Sequence, residues 1–107
     1  MRNSIVLTFS FLSVLFAQTQ LGSDINGEAA DDQSGYSVSM NSDGDRVAIG
    51  GKFNDGSATH AGHVRIYEYS SGSWSQLGSD IDGEAAGDHS GWSVSLDSDG
   101  DRVAIGA

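Results

Sequence analysis

Large hydrophobic residues and serines alternate in two short stretches of the chain, residues 36–40 (YSVSM) and 92–96 (WSVSL). A period of two places the large residues on one face of a β-strand and the serines on the other. Each stretch is followed by an Asp-Gly turn sequence and then by the run RVAIG, at 46–50 and 102–106. Asp-Gly between two such runs indicates a β-hairpin, because glycine adopts a positive φ at little steric cost. The pattern therefore predicts two hairpins.

Two further strands are predicted at residues 63–69 and 74–77, where apolar and polar residues alternate on either side of a Ser-Gly turn. Beyond the N-terminal segment, no stretch keeps the 3.6-residue period of an amphipathic helix. We therefore expect an all-β fold of short antiparallel strands, with helix only in residues 1–17.

The chain also repeats itself. Residues 20–51 and 76–107 are identical at 25 of 32 positions, with a period of 56 residues. Strand-rich repeats of ~40–50 residues build β-propellers, in which each blade has four antiparallel strands. One such unit cannot bury its apolar face without a neighbour. We expect residues 18–107 to hold one complete unit and part of a second, in a piece of a longer protein. A short protein that pairs with other copies is the alternative.

The N-terminal segment has the layout of a secretory signal peptide. Arg2 supplies a positive charge, residues 5–16 are mostly apolar, and Ala17 offers a small residue before a cleavage point. The apolar stretch is shorter than the ~20 residues that span a bilayer. We therefore expect residues 1–17 to be removed and the mature chain to be secreted or held at the cell surface, without membrane insertion.

The mature chain is strongly acidic. The sequence has fifteen acidic and five basic residues, and removal of Arg2 leaves a formal charge of 4 − 15 = −11. This charge disfavours nucleic acid as a partner, since phosphates attract basic residues. It disfavours anionic membranes for the same reason. There is no cysteine, so stability depends on packing, on neighbouring units or on a metal.

Several segments resemble a known family. Residues 35–39 (GYSVS) with 47–51 (VAIGG), and 91–95 (GWSVS) with 103–107 (VAIGA), resemble the FG-GAP repeat of integrin-alpha-type β-propellers. The likeness extends over residues 20–107, in the form found in large exported proteins of marine bacteria and algae. The resemblance implies seven blades, with neighbouring blades of the same chain packed together. It also implies a calcium site in the loop between the first two strands of a blade.

The loops that correspond to that calcium site are residues 41–45 and 97–101, which are cut down here to a short turn. We therefore predict no tight calcium site at Asp97, Asp99 and Asp101. Calcium takes six to eight oxygen ligands from a flexible loop, which suits the longer acidic connector better. The metal candidates are Asp80, Asp82, Glu84 and Asp88. A solubilising acidic loop is the alternative.

The other candidate residues favour structural roles. His60, His63 and His89 are not expected to bind zinc, since zinc sites need about four clustered ligands. His60 and His63 are expected at the surface, and His89 replaces Gln33 of the first copy. Tyr36 and Trp92 occupy one repeat position and are expected in the core between units, as are Met40 and Leu96. An aromatic platform for sugars is the alternative. Trp74 with Tyr67 or Tyr69 is better placed for it. No residue is predicted as catalytic or as cofactor-binding.

Together these features predict an exported β-propeller scaffold or binding module that serves adhesion through a protein or glycan ligand. The alternative is an accessory propeller of an extracellular polysaccharide-active hydrolase or lyase. We expect a binding role rather than an enzymatic one, because the repeated motifs are strand starts and turns and contain no catalytic signature.

Overall fold

The computed structural model of the chain describes residues 19–107. Every regular element in this range is a β-strand, which confirms the all-β prediction for these residues. The helix predicted within residues 1–17 lies outside them. The strands are β1 Ser34–Met40, β2 Arg46–Gly51, β3 His63–Ser70, β4 Ser73–Gln76, β5 Ile81–Asp82, β6 Ser93–Leu96 and β7 Val103–Gly106.

Strands β1 to β4 form an antiparallel sheet in sequence order, here called the first sheet. The short strand β5 pairs with the start of β3 through His63–Asp82 and Val64–Ile81. Strands β6 and β7 form a separate two-stranded antiparallel hairpin, called the second hairpin. All six strands expected from the sequence are present. The period-two pattern did not predict β5, because two residues are too few to show a period.

The hairpin turns are built by the side chain of their first residue. The Asn41 side-chain oxygen accepts hydrogen bonds from the backbone N–H of Asp45 at 3.1 Å and of Arg46 at 2.9 Å. Gly44 follows with φ of 73°, a left-handed conformation that favours glycine. Asp97 makes the same bonds in the second hairpin, to backbone amides at 3.1 and 3.2 Å. Asn and Asp suit this position because their short side chains replace backbone acceptors in tight turns.

Alternation along β1 and β2 gives the first sheet two chemically different faces. The strand register pairs Val38 with Ile49 and Met40 with Val47, so these side chains share one face. The opposite face is made of small residues. The valine face is defined as Val38, Met40, Val47 and Ile49, and the serine face as Ser37, Ser39, Ala48 and Gly50. The equivalent sets in the second hairpin are Val94, Leu96, Val103 and Ile105, and Ser93, Ser95, Ala104 and Gly106.

The second hairpin packs against the serine face of the first sheet. The Ser37 hydroxyl donates a hydrogen bond to the Gly91 carbonyl at 2.7 Å. The Leu96 amide donates to the Ser39 hydroxyl oxygen at 2.9 Å. A Cβ atom added to Gly50 would collide with the Gly91 carbonyl oxygen. The small residues of the serine face therefore permit the close approach of the two units.

The burial of the apolar side chains of β1 differs from that of their repeat equivalents in β6. Val38 is 61% exposed and Met40 is 52% exposed. Their repeat equivalents, Val94 and Leu96, are half-buried. Ser93, Ser95 and Ala104 are exposed, whereas Ala48 is completely buried. The second hairpin thus places its valine face on the serine face of the first sheet. Within residues 19–107, Val38 and Met40 of the first valine face are exposed, whereas Val47 of that face is buried.

The core lies within the first sheet and in the segment that leads into β3. Its buried apolar residues are Val47, Ala48, Ala61 and Val64. The prediction that Tyr36, Met40 and Trp92 are core residues is wrong for residues 19–107, because each is about half exposed. Tyr36 and Trp92 do meet across the two units, with ring centroids 5.5 Å apart. The contact between repeats was therefore foreseen, but not its exposure to solvent.

Candidate binding surface

The two equivalent aromatic residues and a lysine form a cluster at the junction of the units. Tyr36 lies near the start of β1, Trp92 directly precedes β6, and Lys52 directly follows β2. The Lys52 ammonium lies 3.5 Å from the centroid of the Tyr36 ring and 4.1 Å from that of Trp92. Tyr36 is 49% exposed and Trp92 is 48% exposed, while Lys52 is only 7% exposed. The cation thus lies against two rings that are open to solvent.

Lys52 differs in its partners from the two paired arginines. Arg46 pairs with Glu68, and Arg65 pairs with acidic residues of the connectors. Within residues 19–107, no carboxylate lies at ion-pair distance from Lys52, and its contacts are the aromatic rings. A cation over an aromatic face is stabilised by ~0.5–2 kcal/mol, depending on how far it is desolvated. A buried ammonium also gains from an oxygen acceptor, because it carries three N–H donors.

Two histidines and a phenylalanine extend the cluster, which we call the aromatic surface together with Tyr36, Lys52 and Trp92. Phe53 stacks on His60 with ring centroids 4.8 Å apart and meets His89 at 5.2 Å. His89 in turn lies 6.1 Å from the Trp92 ring. The surface therefore combines flat apolar rings, imidazole nitrogens and one cation. Binding sites for small ligands typically combine aromatic area with a few polar groups in this way.

The sequence predicted that His60 and His63 lie at the surface, and this is wrong for His63. His63 is buried at the start of β3, opposite Gly51 in the strand register. Its Nδ1 atom makes no hydrogen bond within the described residues and lies 3.7 Å from an Asp80 oxygen. The absence of a side chain at Gly51 leaves room for the imidazole ring, which approaches that glycine closely. The space beside Gly51 is evident only once β2 is paired with β3, so the sequence alone did not indicate it.

Arg65, on the interior strand β3, joins two acidic connectors of the first unit. It donates two hydrogen bonds to the Asp80 carboxylate, at 2.8 and 2.9 Å, and a third to Glu28 at 2.5 Å. The bonds between Arg65 and Asp80 lower the pKa of Asp80 to about 2 and raise the pKa of Arg65 above its ordinary value. Ligand atoms of Glu28, His63 and Asp80 lie within 4.8 Å of one another. The Arg65 guanidinium pairs with both carboxylates, whereas the buried His63 Nδ1 atom beside them has no hydrogen-bond partner within residues 19–107.

The four predicted metal ligands lie at different places along the connector. Asp80 belongs to the Arg65 network, and Asp82 pairs with His63 in the β5–β3 ladder. Glu84 is exposed, and Asp88 accepts a hydrogen bond from the Ala85 amide at 3.0 Å. Asp80 therefore bonds to Arg65 rather than sharing a site with the other three predicted ligands. Calcium at this connector stays a prediction.

Asp97, Asp99 and Asp101 place ligand atoms within 4.8 Å of one another in the second hairpin turn. One Asp97 oxygen accepts the two backbone amides that close the turn. A hydrogen bond with Asp97 and the negative charge of that carboxylate raise the pKa of Asp101. The turn is therefore closed by the side chain of its own first residue, Asp97.

The alternative aromatic platform is engaged in packing. The Trp74 ring nitrogen donates a hydrogen bond to the Leu21 carbonyl at 2.8 Å, and the ring meets Tyr69 at 5.2 Å. Trp74 thus holds the segment before β1 against the first sheet. Residues 19–107 contain no helix of the length and apolar character needed to span a membrane.

Comparison of the chain with protein-family models, with curated proteins and with solved structures finds no match.

Proposed function

We propose that this chain is an exported binding module built of FG-GAP-type β-propeller blades, whose aromatic surface takes a glycan ligand. The antiparallel order of β1 to β4 and the 56-residue repeat support the propeller arrangement. The packing of a valine face on a serine face supports it further, because the same contact can recur from unit to unit. The predicted signal segment supports export.

The observation that carries the binding role is the arrangement of Tyr36, Lys52 and Trp92. Two half-exposed rings offer flat apolar area, which suits the apolar face of a sugar ring. The Lys52 ammonium supplies donors for a hydroxyl or carboxylate oxygen at the same place. A purely structural pair of rings would be expected to bury most of its area between the units.

Glycan binding can be measured by titrating the mature chain, residues 18–107, with a panel of neutral and uronate-containing oligosaccharides. We expect Trp92→Ala to weaken binding about tenfold, since an aromatic or cation–π contact contributes ~1 kcal/mol or more. Lys52→Gln should weaken the same ligands. Trp74→Phe is the matched control and should bind like the wild type, because Trp74 lies against Leu21 and Tyr69.

Binding that survives Trp92→Ala in a folded protein would contradict this assignment, as would a panel in which no oligosaccharide binds. The same incubations distinguish the second role. Shortened oligosaccharides would favour the polysaccharide-active alternative. Oligosaccharides of unchanged length would favour a binding module.

A further inference from the structure

We propose that Glu28, His63 and Asp80 form a zinc site within the first unit. Each of these residues places a ligand atom, an imidazole nitrogen or a carboxylate oxygen, within 4.8 Å of the other two. The three residues come from separate segments: the connector before β1, the start of β3 and the connector after β4. The site is not evident from the sequence, because its residues lie far apart along the chain and meet only in the folded unit.

The buried nitrogen of His63 is the observation that points to a ligand. His63 is 3% exposed, and its Nδ1 atom has no hydrogen-bond partner within residues 19–107. A buried polar atom without a partner is unfavourable, and native proteins rarely leave one unpaired. A metal ion that accepts the Nδ1 lone pair would satisfy this atom.

The spacing of His63 and Asp80 suits two ligands of one ion. The Nδ1 atom of His63 lies 3.7 Å from Oδ2 of Asp80, which is longer than a hydrogen bond. Zinc binds nitrogen and oxygen ligands at about 2.0–2.2 Å, so two ligands in a tetrahedral arrangement lie about 3.3–3.6 Å apart. The observed separation is close to this spacing, and the third ligand atom, from Glu28, lies beside the pair.

The surrounding residues hold the three ligands in place. His63 lies on β3, which is paired at this point with β2 on one side and β5 on the other. Gln76 donates a hydrogen bond to Oδ1 of Asp80 at 2.7 Å, and Asn54 donates one to Oε1 of Glu28 at 2.9 Å. Metal ligands are typically oriented by outer hydrogen-bond partners of this kind.

Arg65 shares the two carboxylates without using all of their acceptor positions. Its Nη2 atom donates to Oδ2 of Asp80 at 2.9 Å and to Oε2 of Glu28. An ionised carboxylate has about four lone-pair positions, so it can accept these bonds and still bind a cation. Two carboxylates face one guanidinium, which leaves the cluster an excess of negative charge that favours a divalent cation. The low pKa of Asp80 keeps this carboxyl ionised, as a metal ligand must be.

The donor set selects zinc over calcium. Calcium takes six to eight oxygen ligands, whereas an imidazole nitrogen suits zinc and related transition metals. Zinc also accepts three protein ligands with water in the fourth position. A zinc ion here would join β3 to both acidic connectors, in a chain that has no cysteine for a disulfide.

Calorimetric titration of the purified, chelator-treated chain with zinc tests the proposal. We expect one zinc per chain and at least about tenfold weaker binding for Glu28→Gln, since even an outer partner of a metal ligand contributes about 10–100-fold. Glu84→Gln is the matched control, because Glu84 is the repeat equivalent of Glu28 but lies exposed and outside the cluster. The control should bind zinc like the wild type.

Nitrogen magnetic resonance of the histidine rings identifies the ligand without a substitution at the buried position. We expect one equivalent of zinc to shift the Nδ1 resonance of His63 and to leave His60 and His89 unchanged. A chain that binds no zinc would overturn the proposal. So would a shift confined to His60 and His89, or a Glu28→Gln chain that binds zinc as tightly as the Glu84→Gln chain.

Discussion

At the scale of single residues, Asn54 organises the polar interior of the first unit. It is 2% exposed and lies in the crossing segment between β2 and β3. Its side-chain nitrogen donates to Asp32 at 2.7 Å and to Glu28 at 2.9 Å, and its oxygen accepts the Gly56 amide at 2.8 Å. Asp32 is also buried, so its carboxylate depends on this donor. A fully satisfied polar group of this kind fixes one arrangement of the connectors.

Asn54→Ala should lower the free energy of unfolding by roughly 2–3 kcal/mol, because it leaves the buried Asp32 carboxylate without its amide donor. Urea unfolding of the mature chain measures this change. Asn26→Ala removes the same amide from an exposed position and should change stability by less than about 0.5 kcal/mol. Equal effects of the two substitutions would show that Asn54 does not have the role assigned to it.

At the scale of elements, the strands and the hairpin turns were predictable, and the contacts of β3 with its neighbouring strands were not. Serine alternation gave β1 and β6, and Asp-Gly turns gave the hairpins, because both signals are local in sequence. The burial of His63 and the salt bridges of Arg65 depend on which strand lies beside β3, which is a non-local fact. Arg65 on β3 and Asp80 before β5 lie fifteen positions apart and meet only after the sheet turns back.

The Arg65–Asp80 pair should make the first unit sensitive to acid. The pKa of Asp80 falls from 3.8 to about 2 in the folded chain, so the pair stabilises the fold fully above pH 3.8. That contribution is lost as the pH falls from 3.8 towards 2, since the folded chain then takes up a proton that the unfolded chain already holds. The shift corresponds to roughly 2 kcal/mol.

Urea midpoints of the wild type and Asp80→Asn, measured at neutral pH and near pH 2, test this linkage. We expect the difference in stability between the two proteins to shrink by roughly 2 kcal/mol at the lower pH. Asp43 is exposed and has no ion pair within residues 19–107, so Asp43→Asn is the control. Its stability should depend on pH in the same way as that of the wild type. If the difference in stability between the wild type and Asp80→Asn is independent of pH, the Arg65–Asp80 pair does not cause the predicted loss of stability in acid.

At the scale of the whole molecule, the repeat predicted that the units pack together but not how. Two units with apolar and serine faces could join their apolar faces, as two sheets of a sandwich do. The structure instead places the valine face of the second hairpin on the serine face of the first sheet, where Gly50 and Gly91 allow close approach. The same geometry explains the aromatic surface, because Tyr36 and Trp92 lie beside the contact rather than within it. The exposure of these two rings depends on how the units are packed, which cannot be read from the alternation of apolar and polar residues.

Nuclear Overhauser effects in the mature chain test the contact of the second hairpin with the serine face of the first sheet. Spectra at low protein concentration keep the cross-peaks within one molecule. We predict cross-peaks that join the Leu96 amide to Ser39 and the Gly50 and Gly91 protons to each other. Cross-peaks that instead join Met40 to Leu96 or Ile49 to Val94 would place valine face on valine face, and would contradict the arrangement described for this molecule.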